Sequence, residues 1–274
     1  MGYAAILVHV QTNKDAKRRL DCACALAQTF DAALIGVGAE IFPLLAPDYG
    51  YYAMQGEWYA LMRKAVEENM ARARAVFDAA AKDRVKTTIW ESGVRPPIEA
   101  VAEAARGADL IVVGASDARR ENTYEDAPVG ELIVTAGRPV LVVPKHGGDF
   151  VGDTVVLAWK DTREARRAMS DALPFFKRAK SVIVLEACGQ DEAEDANVRT
   201  DDVAAALKRH GVTATGKVVV GDGDARALDH ECDALGADLI VAGGYGHSRL
   251  GEWVFGGVTR SLLHQDKRYV LLSH

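Results

Sequence analysis

Three glycines near the end of the chain, Gly243, Gly246 and Gly256, have the spacing of a loop that could hold a phosphate group. They follow the apolar run 239–242, which has the length and flanks of a buried strand, and they precede residues 258–264, which read as the start of a helix. In that setting glycines let the backbone approach an anion closely, and the exposed amides at the helix start point toward it. The segment is therefore predicted to bind phosphate.

The strand before these glycines occurs twice in the chain. Residues 107–114 (GADLIVVG) recur 129 residues later as residues 236–243 (GADLIVAG). The two halves also begin alike, because residues 6–20 correspond to residues 155–169 at an offset of 149 residues. The offset falls by 20 between the two matches, so the first half must carry an insertion, which we place at residues 42–58.

The repeat and the length of 274 residues predict two domains of about 140 residues each. We place them at residues 1–146 and 150–274, joined by a short, flexible linker at His146–Asp149. The expected strands are residues 5–10, 33–37, 87–90, 110–113, 140–143, 155–158, 182–185, 218–220, 239–242 and 269–272, and the expected helices are residues 15–30, 57–81, 97–106, 162–177, 201–210 and 225–235. Apolar strands that alternate with helices predict an α/β fold with a parallel sheet covered on both faces.

A ligand of such a sheet binds beyond the carboxyl ends of the strands, where the strand order reverses. Residues 243–256, which we call the glycine segment, follow the fourth strand of the second half. The glycine segment is therefore expected at such a place. The terminal strands, residues 140–143 and 269–272, are short and apolar and are possible sheet edges. We expect the two halves to pack through them with approximate two-fold symmetry; whether two chains form a homodimer stays open.

Composition excludes several classes of protein. Apolar residues make up 49% and charged residues 26%, which is ordinary globular usage, and the net charge of −6 argues against a nucleic-acid partner. No apolar run approaches membrane-spanning length, and the first residues lack the pattern of a signal peptide. The four cysteines, Cys22, Cys24, Cys188 and Cys232, form no regular framework and are interpreted as reduced core thiols, so the protein is expected in the cytoplasm.

The glycine spacing, the Asp-Leu-Ile-Val strand before it, the Gly-Val-Thr-Arg run at residues 257–260 and the two copies in one chain resemble a tandem member of the universal stress protein family. The resemblance covers essentially the whole chain. It implies two five-stranded domains of the Rossmann-like, adenine nucleotide alpha hydrolase-like fold, packed as a pseudo-dimer. It also implies stress-related regulation and the binding of ATP or a related adenine nucleotide, with or without magnesium.

The resemblance also implies a set of site residues. Gly243, Gly246, Gly256, Gly257 and Val258 would surround the phosphates, and Ala158 would lie near the adenosine. The family usually has Ser or Thr where Gly257 stands, and losing that hydroxyl contact would cost about 0.5–1.5 kcal/mol, a weakening of roughly tenfold. It often has Asp at the end of its first strand, where this chain has Lys160 followed by Asp161. Lys160 could contact phosphate instead of ribose, and His247 and Arg249 could add attraction.

The first half departs further from the pattern. Asp117 replaces the second glycine after Gly114, and twelve residues rather than nine separate it from Gly130. Three more acidic residues, Glu121, Glu125 and Asp126, lie between them. Carboxylates that face a phosphate repel it. We expect that the N-terminal half does not hold a nucleotide in the same way.

Three functions stay open from the sequence. The first is a nucleotide-binding regulatory protein, and the second is a protein-interaction module of the same fold that binds no nucleotide. The third, a slow ATPase, ranks last because no general base or catalytic set is evident. No metal site is predicted: the acidic segment 221–224 lacks the later ligands of a calcium loop, and the histidines show no paired metal spacing.

Overall fold

The computed structural model describes residues 2–13, 15–41, 55–115, 128–221, 225–244, 261–262 and 267–274. The first half contains β1 (Ala5–His9), α1 (Ala16–Phe30), β2 (Ala33–Glu40), α2 (Gln55–Ala81), β3 (Thr88–Val94), α3 (Pro97–Ala104), β4 (Leu110–Gly114), α4 (Val129–Thr135) and β5 (Val140–Val143). The second half contains β6 (Thr154–Ala158), α5 (Arg163–Asp171), α6 (Leu173–Phe176), β7 (Ser181–Cys188), α7 (Ala193–Arg209), β8 (Thr215–Val220), α8 (Ala225–Ala234), β9 (Leu239–Gly243) and β10 (Tyr269–Ser273). Short 3-10 turns lie at Ala105–Gly107 and Gln190–Glu192.

All ten strands belong to one sheet, in the order β3-β2-β1-β4-β5-β10-β9-β6-β7-β8. Neighbouring strands within each half run parallel, and the two halves join where β5 pairs antiparallel with β10, with Leu141 opposite Leu271. From the centre of the sheet outward, the strands of the first half follow the order β5-β4-β1-β2-β3, and those of the second half follow the equivalent order β10-β9-β6-β7-β8. An approximate two-fold axis therefore relates the two halves. The predicted α/β fold, and the predicted pairing of the two terminal strands, are confirmed.

The chain folds this way because its central strands are buried on both faces, whereas the edge strands β3 and β8 are largely exposed. Alternate residues of β1 belong to different apolar clusters, Ile6 and Val8 to one and Leu7 to the other. The first cluster lies under α1, α2, α5 and α7, and the second lies under α3, α4 and α8. The strands near the centre of the sheet therefore have helices packed on both faces, as their continuous apolar sequences indicate.

Several elements differ from the sequence prediction. α7 begins eight residues earlier than expected, at Ala193, and the expected helix 162–177 is divided after Asp171, with Pro174 in the first turn of α6. α4 was not predicted; it has seven residues, too few for a helical period to stand out. Of the predicted insertion, residues 42–54 lie outside the described part of the chain, and α2 includes its last residues.

The backbone of the predicted linker is hydrogen-bonded to side chains of both halves. The guanidinium of Arg18 donates to the carbonyls of Gly147 and Gly148 at 2.7 and 2.6 Å, and the Tyr269 hydroxyl lies 3.3 Å from the carbonyl of Gly148. Gly147 has φ +105°, and a side chain there would also meet the carbonyl of Lys267 at 2.8 Å. Glycine is needed at this position because the backbone is left-handed and approaches the backbone of Lys267 closely.

Within the described ranges, no helix is both long enough and apolar enough to cross a membrane.

Candidate functional site

Three of the predicted site residues of the second half lie at one edge of the sheet. β6 and β9 are neighbours, and Ala158 lies opposite Ala242, one residue before Gly243. Outward from β6 the chain order continues through β7 and β8, whereas β9 and β10 lie on the other side, so the strand order reverses between β6 and β9. Ala158, Lys160 and Gly243 therefore lie around the switch point of this half. Gly246, His247, Arg249, Gly256, Gly257 and Val258 lie outside the described residues.

Gly243 has a packing role that the sequence did not reveal. A Cβ atom at this position would lie 2.5 Å from the backbone nitrogen of Ala165 and 2.6 Å from the carbonyl carbon of Glu164. The first turn of α5 thus crosses β9 directly over Gly243, and only glycine allows that approach. This is the close helix–strand contact that one glycine of dinucleotide-binding folds serves. The presence of glycine here is explained without a ligand.

The N-terminus of α5 is capped by side chains of its own first turn. The Thr162 hydroxyl caps the helix by accepting from the amide of Ala165 at 3.3 Å. Glu164 is buried in the first turn and is paired with Arg163. Burial raises the pKa of Glu164, but hydrogen bonds from Arg163, from its own backbone amide and from Thr162 outweigh burial and leave that pKa below its ordinary value. A carboxylate already occupies the helix N-terminus, where it is favoured by the helix dipole.

Lys160 is a cation at this edge. It lies two residues beyond β6, it is exposed, and no described carboxylate pairs with its ammonium group. The neighbouring Asp161 is engaged in an ion pair with Arg166. The backbone carbonyl of Lys160 accepts from the amide of Thr162 at 2.6 Å, which fixes the turn that carries the side chain. The turn therefore presents one unpaired positive charge beside the switch point.

Two buried polar groups at the same edge were not predicted. Trp159 follows Ala158, and Ser273 lies opposite Gly243 at the end of β10. The Trp159 Nε1 and the Ser273 Oγ are both buried and find no hydrogen-bond partner in the described part of the protein. Nothing in the sequence could have identified them, because their burial depends on the elements that pack over the strand ends.

Gly244, the first residue after β9, is also fixed by its surroundings. Its amide donates to the carbonyl of Ser273 at 2.8 Å, and its carbonyl lies 3.1 Å from the Nδ1 of His274. The glycine segment therefore leaves the sheet in a defined direction.

At the equivalent edge of the first half, the space beside Gly114 is occupied by the side chain of Arg19. A Cβ atom at Gly114 would lie 2.8 Å from Nη1 of Arg19, and the buried Arg19 donates from Nε to the carbonyl of His9 at 3.0 Å. His9 stands where the second half has Ala158, and burial, followed by the charge of Arg19, lowers the pKa of His9 to about 3. The acidic residues at 117, 121, 125 and 126 lie outside the described ranges.

The four cysteines are free and buried, as predicted. Burial raises the pKa of Cys232 to about 12 and moves the pKa of Cys22 further still in the same direction. These thiols are therefore unreactive core residues. Among the residues that the structure describes, no cluster of histidine, cysteine or carboxylate side chains could hold a metal ion.

Comparison with known families identifies the second half. Residues 153–273 match the family model described as "Universal stress protein family". This half of the chain is a universal stress protein domain. The match includes β6, β9, β10 and the glycine segment between the last two, so the resemblance seen in the sequence is confirmed.

Two solved structures match the fold over nearly the whole chain. One, a universal stress protein from Archaeoglobus fulgidus, is 15% identical with a TM-score of 0.71, and the match covers 98% of this chain and 97% of that chain. A putative universal stress protein from Pseudomonas aeruginosa is 18% identical with a TM-score of 0.53, covering 99% and 93% of the two chains. A universal stress protein in complex with cAMP is 23% identical over 52% of this chain and 98% of its own, with a TM-score of 0.36. No curated protein matches the sequence.

Proposed function

We propose that this protein is a stress-related regulator that binds ATP or a related adenine nucleotide through its C-terminal half. One observation carries the proposal: the glycine segment leaves β9 at the switch point of the sheet, beside the end of β6. Ligands of doubly wound α/β folds bind in the crevice at that point. The spacing of Gly243, Gly246 and Gly256 supplies the backbone that can approach a phosphate there.

The proposed contacts divide between the strand end and the loop. Ala158, a small residue at the end of β6, would lie beside the nucleoside. Lys160 would pair with a phosphate oxygen. The amides of Gly246, Gly256, Gly257 and Val258 would donate to the phosphates, with His247 and Arg249 adding positive charge. Gly243 would act indirectly, by letting α5 pack against β9.

The first half is proposed to have no equivalent site. Arg19 lies over Gly114 where the second half brings the helix backbone over Gly243. We keep residues 1–146 and 150–274 as the two domains, with the first as a degenerate copy. A cytoplasmic location is proposed from the four free thiols.

Isothermal titration calorimetry with ATP tests the proposal. The native protein is expected to give a saturable binding heat, and replacing Gly246 or Gly256 by valine is expected to abolish it. Replacing Lys160 by alanine should weaken binding several-fold. The control is Lys177→Ala, which removes the same charge from another exposed lysine of the second half. If the native protein gives no heat, nucleotide binding is wrong.

A second candidate is an interaction module that binds no nucleotide. It is favoured by one observation, that packing already explains Gly243. Thermal melting separates the two functions, because a ligand that binds only the folded state raises the melting temperature, and the rise grows with the logarithm of the ligand concentration above its Kd. The proposed site predicts such a rise with ATP, whereas the interaction module predicts none.

A further inference from the structure

The outer side of α2 carries a regular row of exposed residues, which we call the α2 seam. Its members follow one another at alternating intervals of four and three residues, which places them on one side of the helix and is the spacing of a coiled-coil seam. The members are Leu61, Ala65, Glu68, Arg72, Ala75 and Ala79. The opposite side of α2 packs into the core through Ala73, Phe77 and Ala81. α2 has 27 residues, against 17 in α7 at the equivalent place in the second half, and the seam extends over about 27 Å of it.

The charges of the α2 seam are complementary to themselves. In two antiparallel copies of α2 related by a two-fold axis beside Met70, residues equally far before and after Met70 face each other. Glu68 of each copy then faces Arg72 of the other, which gives two ion pairs across the axis. Within its own chain Glu68 lies 4.0 Å from the ammonium of Lys64, and Arg72 donates to the side chain of Asn69. Both groups are exposed and have further hydrogen-bonding capacity for a second copy.

The sizes of the seam residues fit the same arrangement. Ala65 would face Ala75 of the second copy, and Leu61 would face Ala79, so that a large side chain meets a small one at each end. The distance between packed helices depends on the side chains at the contact, and alanine allows a short one. Leu61 is 60% exposed, and Val76 beside the seam is 38% exposed. Pairing would remove this apolar surface from water.

The equivalent helix of the second half lacks this complementarity. α7 also has an exposed side, but Asp201 and Asp202 lie at its middle. Two antiparallel copies of α7 paired about their middle would bring these carboxylates together, and like charges repel. The comparison within one chain therefore favours α2 as the helix that pairs.

We propose that the α2 seam is a homodimerisation surface, which binds the α2 seam of a second copy of this chain in antiparallel orientation. The inference is independent of nucleotide binding. A specific interface of standard size buries about 800 Å² on each partner. A helix contact about 27 Å long and about 10 Å wide covers roughly a third of that area. The dimer is therefore expected to be weak and to dissociate on dilution.

Sedimentation equilibrium of the full chain with reversed charges tests the proposal. The native protein should show a monomer–dimer equilibrium that shifts toward dimer as its concentration rises. Glu68→Arg places positive charge opposite Arg72 of the second copy, and Arg72→Glu places negative charge opposite Glu68. Each variant alone should raise the dimer dissociation constant about tenfold or more, because like charges then face each other twice. An equimolar mixture of the two variants should dimerise again, since one chain carries only positive charge at these positions and the other only negative.

The matched control is Asp202→Arg, which reverses an exposed charge on α7 and should leave the dissociation constant unchanged. Circular dichroism should show that all variants are folded, because every substituted side chain is exposed. A native protein that stays monomeric at every concentration would overturn the proposal. A dimer that tolerates both reversals, or a mixture of the two variants that stays monomeric, would overturn it as well.

Discussion

The hydroxyl of Tyr3 donates a hydrogen bond of 2.7 Å to the main-chain carbonyl of Asp171, although 168 residues separate them in the chain. The Tyr3 ring packs against Phe30 of its own half and Phe175 of the other, with ring centroids 5.1 and 5.4 Å away. Burial, then the charges of Asp171 and Asp109, raises the pKa of Tyr3 well above its usual value, so the hydroxyl stays a donor. The halves are therefore joined by a buried polar bond as well as by the sheet.

Replacing Tyr3 by phenylalanine should lower the free energy of unfolding by about 1–2 kcal/mol, because the Asp171 carbonyl loses its donor while the ring packing is kept. Urea unfolding followed by both circular dichroism and tryptophan fluorescence measures the effect. The two signals should still change together, since β5 and β10 continue to pair. An unchanged midpoint would show that the bond contributes nothing to holding the halves together.

His9 should make the protein sensitive to acid. Its folded pKa is lowered to about 3, whereas an unfolded histidine titrates near 6.5, so the unfolded chain binds more protons between these values. Stability is therefore lost as pH falls through that window, by about 2 kcal/mol between pH 7 and pH 5 from this residue alone. His9→Gln removes the titrating group and should flatten the decline in unfolding free energy measured over that range.

The control for His9 is His210→Gln, the same change at an exposed histidine after α7. It should keep the acid sensitivity of the native protein. Equal pH profiles for His9→Gln and native protein would mean that His9 is hydrated or paired in solution.

Two equivalent glycines should respond differently to alanine. At Gly243 the new methyl would meet the backbone nitrogen of Ala165 at 2.5 Å, and a backbone cannot yield without moving α5. At Gly114 it would meet the end of the Arg19 side chain at 2.8 Å, which can shift at the expense of its hydrogen bond to His9. Overpacking costs typically about 1–3 kcal/mol, and we expect Gly243→Ala to be at the upper end and Gly114→Ala at the lower. Equal urea midpoints for the two variants would contradict this assignment.

The contrast between these glycines shows where sequence reasoning ends. The repeat correctly predicted that Gly114 and Gly243 end equivalent strands, because apolar strands and helices alternate in the same order in both halves. The repeat could not distinguish a glycine that faces phosphate from one that lies under a helix, because both environments exclude a Cβ atom. That distinction depends on how closely α5 approaches β9.

Helix boundaries show a related limit. The first turns of α7 are polar, and only Ala196 and Thr200 of residues 193–200 are buried, so the sequence carries too little apolar period to place its start. α4 is missed for the same reason, although three of its seven residues are buried in the core. Short elements stabilised by tertiary packing are the ones that local sequence does not specify.

Ser273 provides a last prediction, because the residue is only 1% exposed and its buried hydroxyl finds no partner in the described structure. A buried polar group without a hydrogen bond costs about 1–3 kcal/mol of desolvation, so Ser273→Ala should stabilise the protein by about 1 kcal/mol once the lost packing is subtracted. Ser181→Ala, at an exposed position on β7, should change the free energy of unfolding by less than about 0.5 kcal/mol. Destabilisation by Ser273→Ala would show instead that the hydroxyl is hydrogen-bonded in the folded protein, either to water or to a residue outside the described ranges.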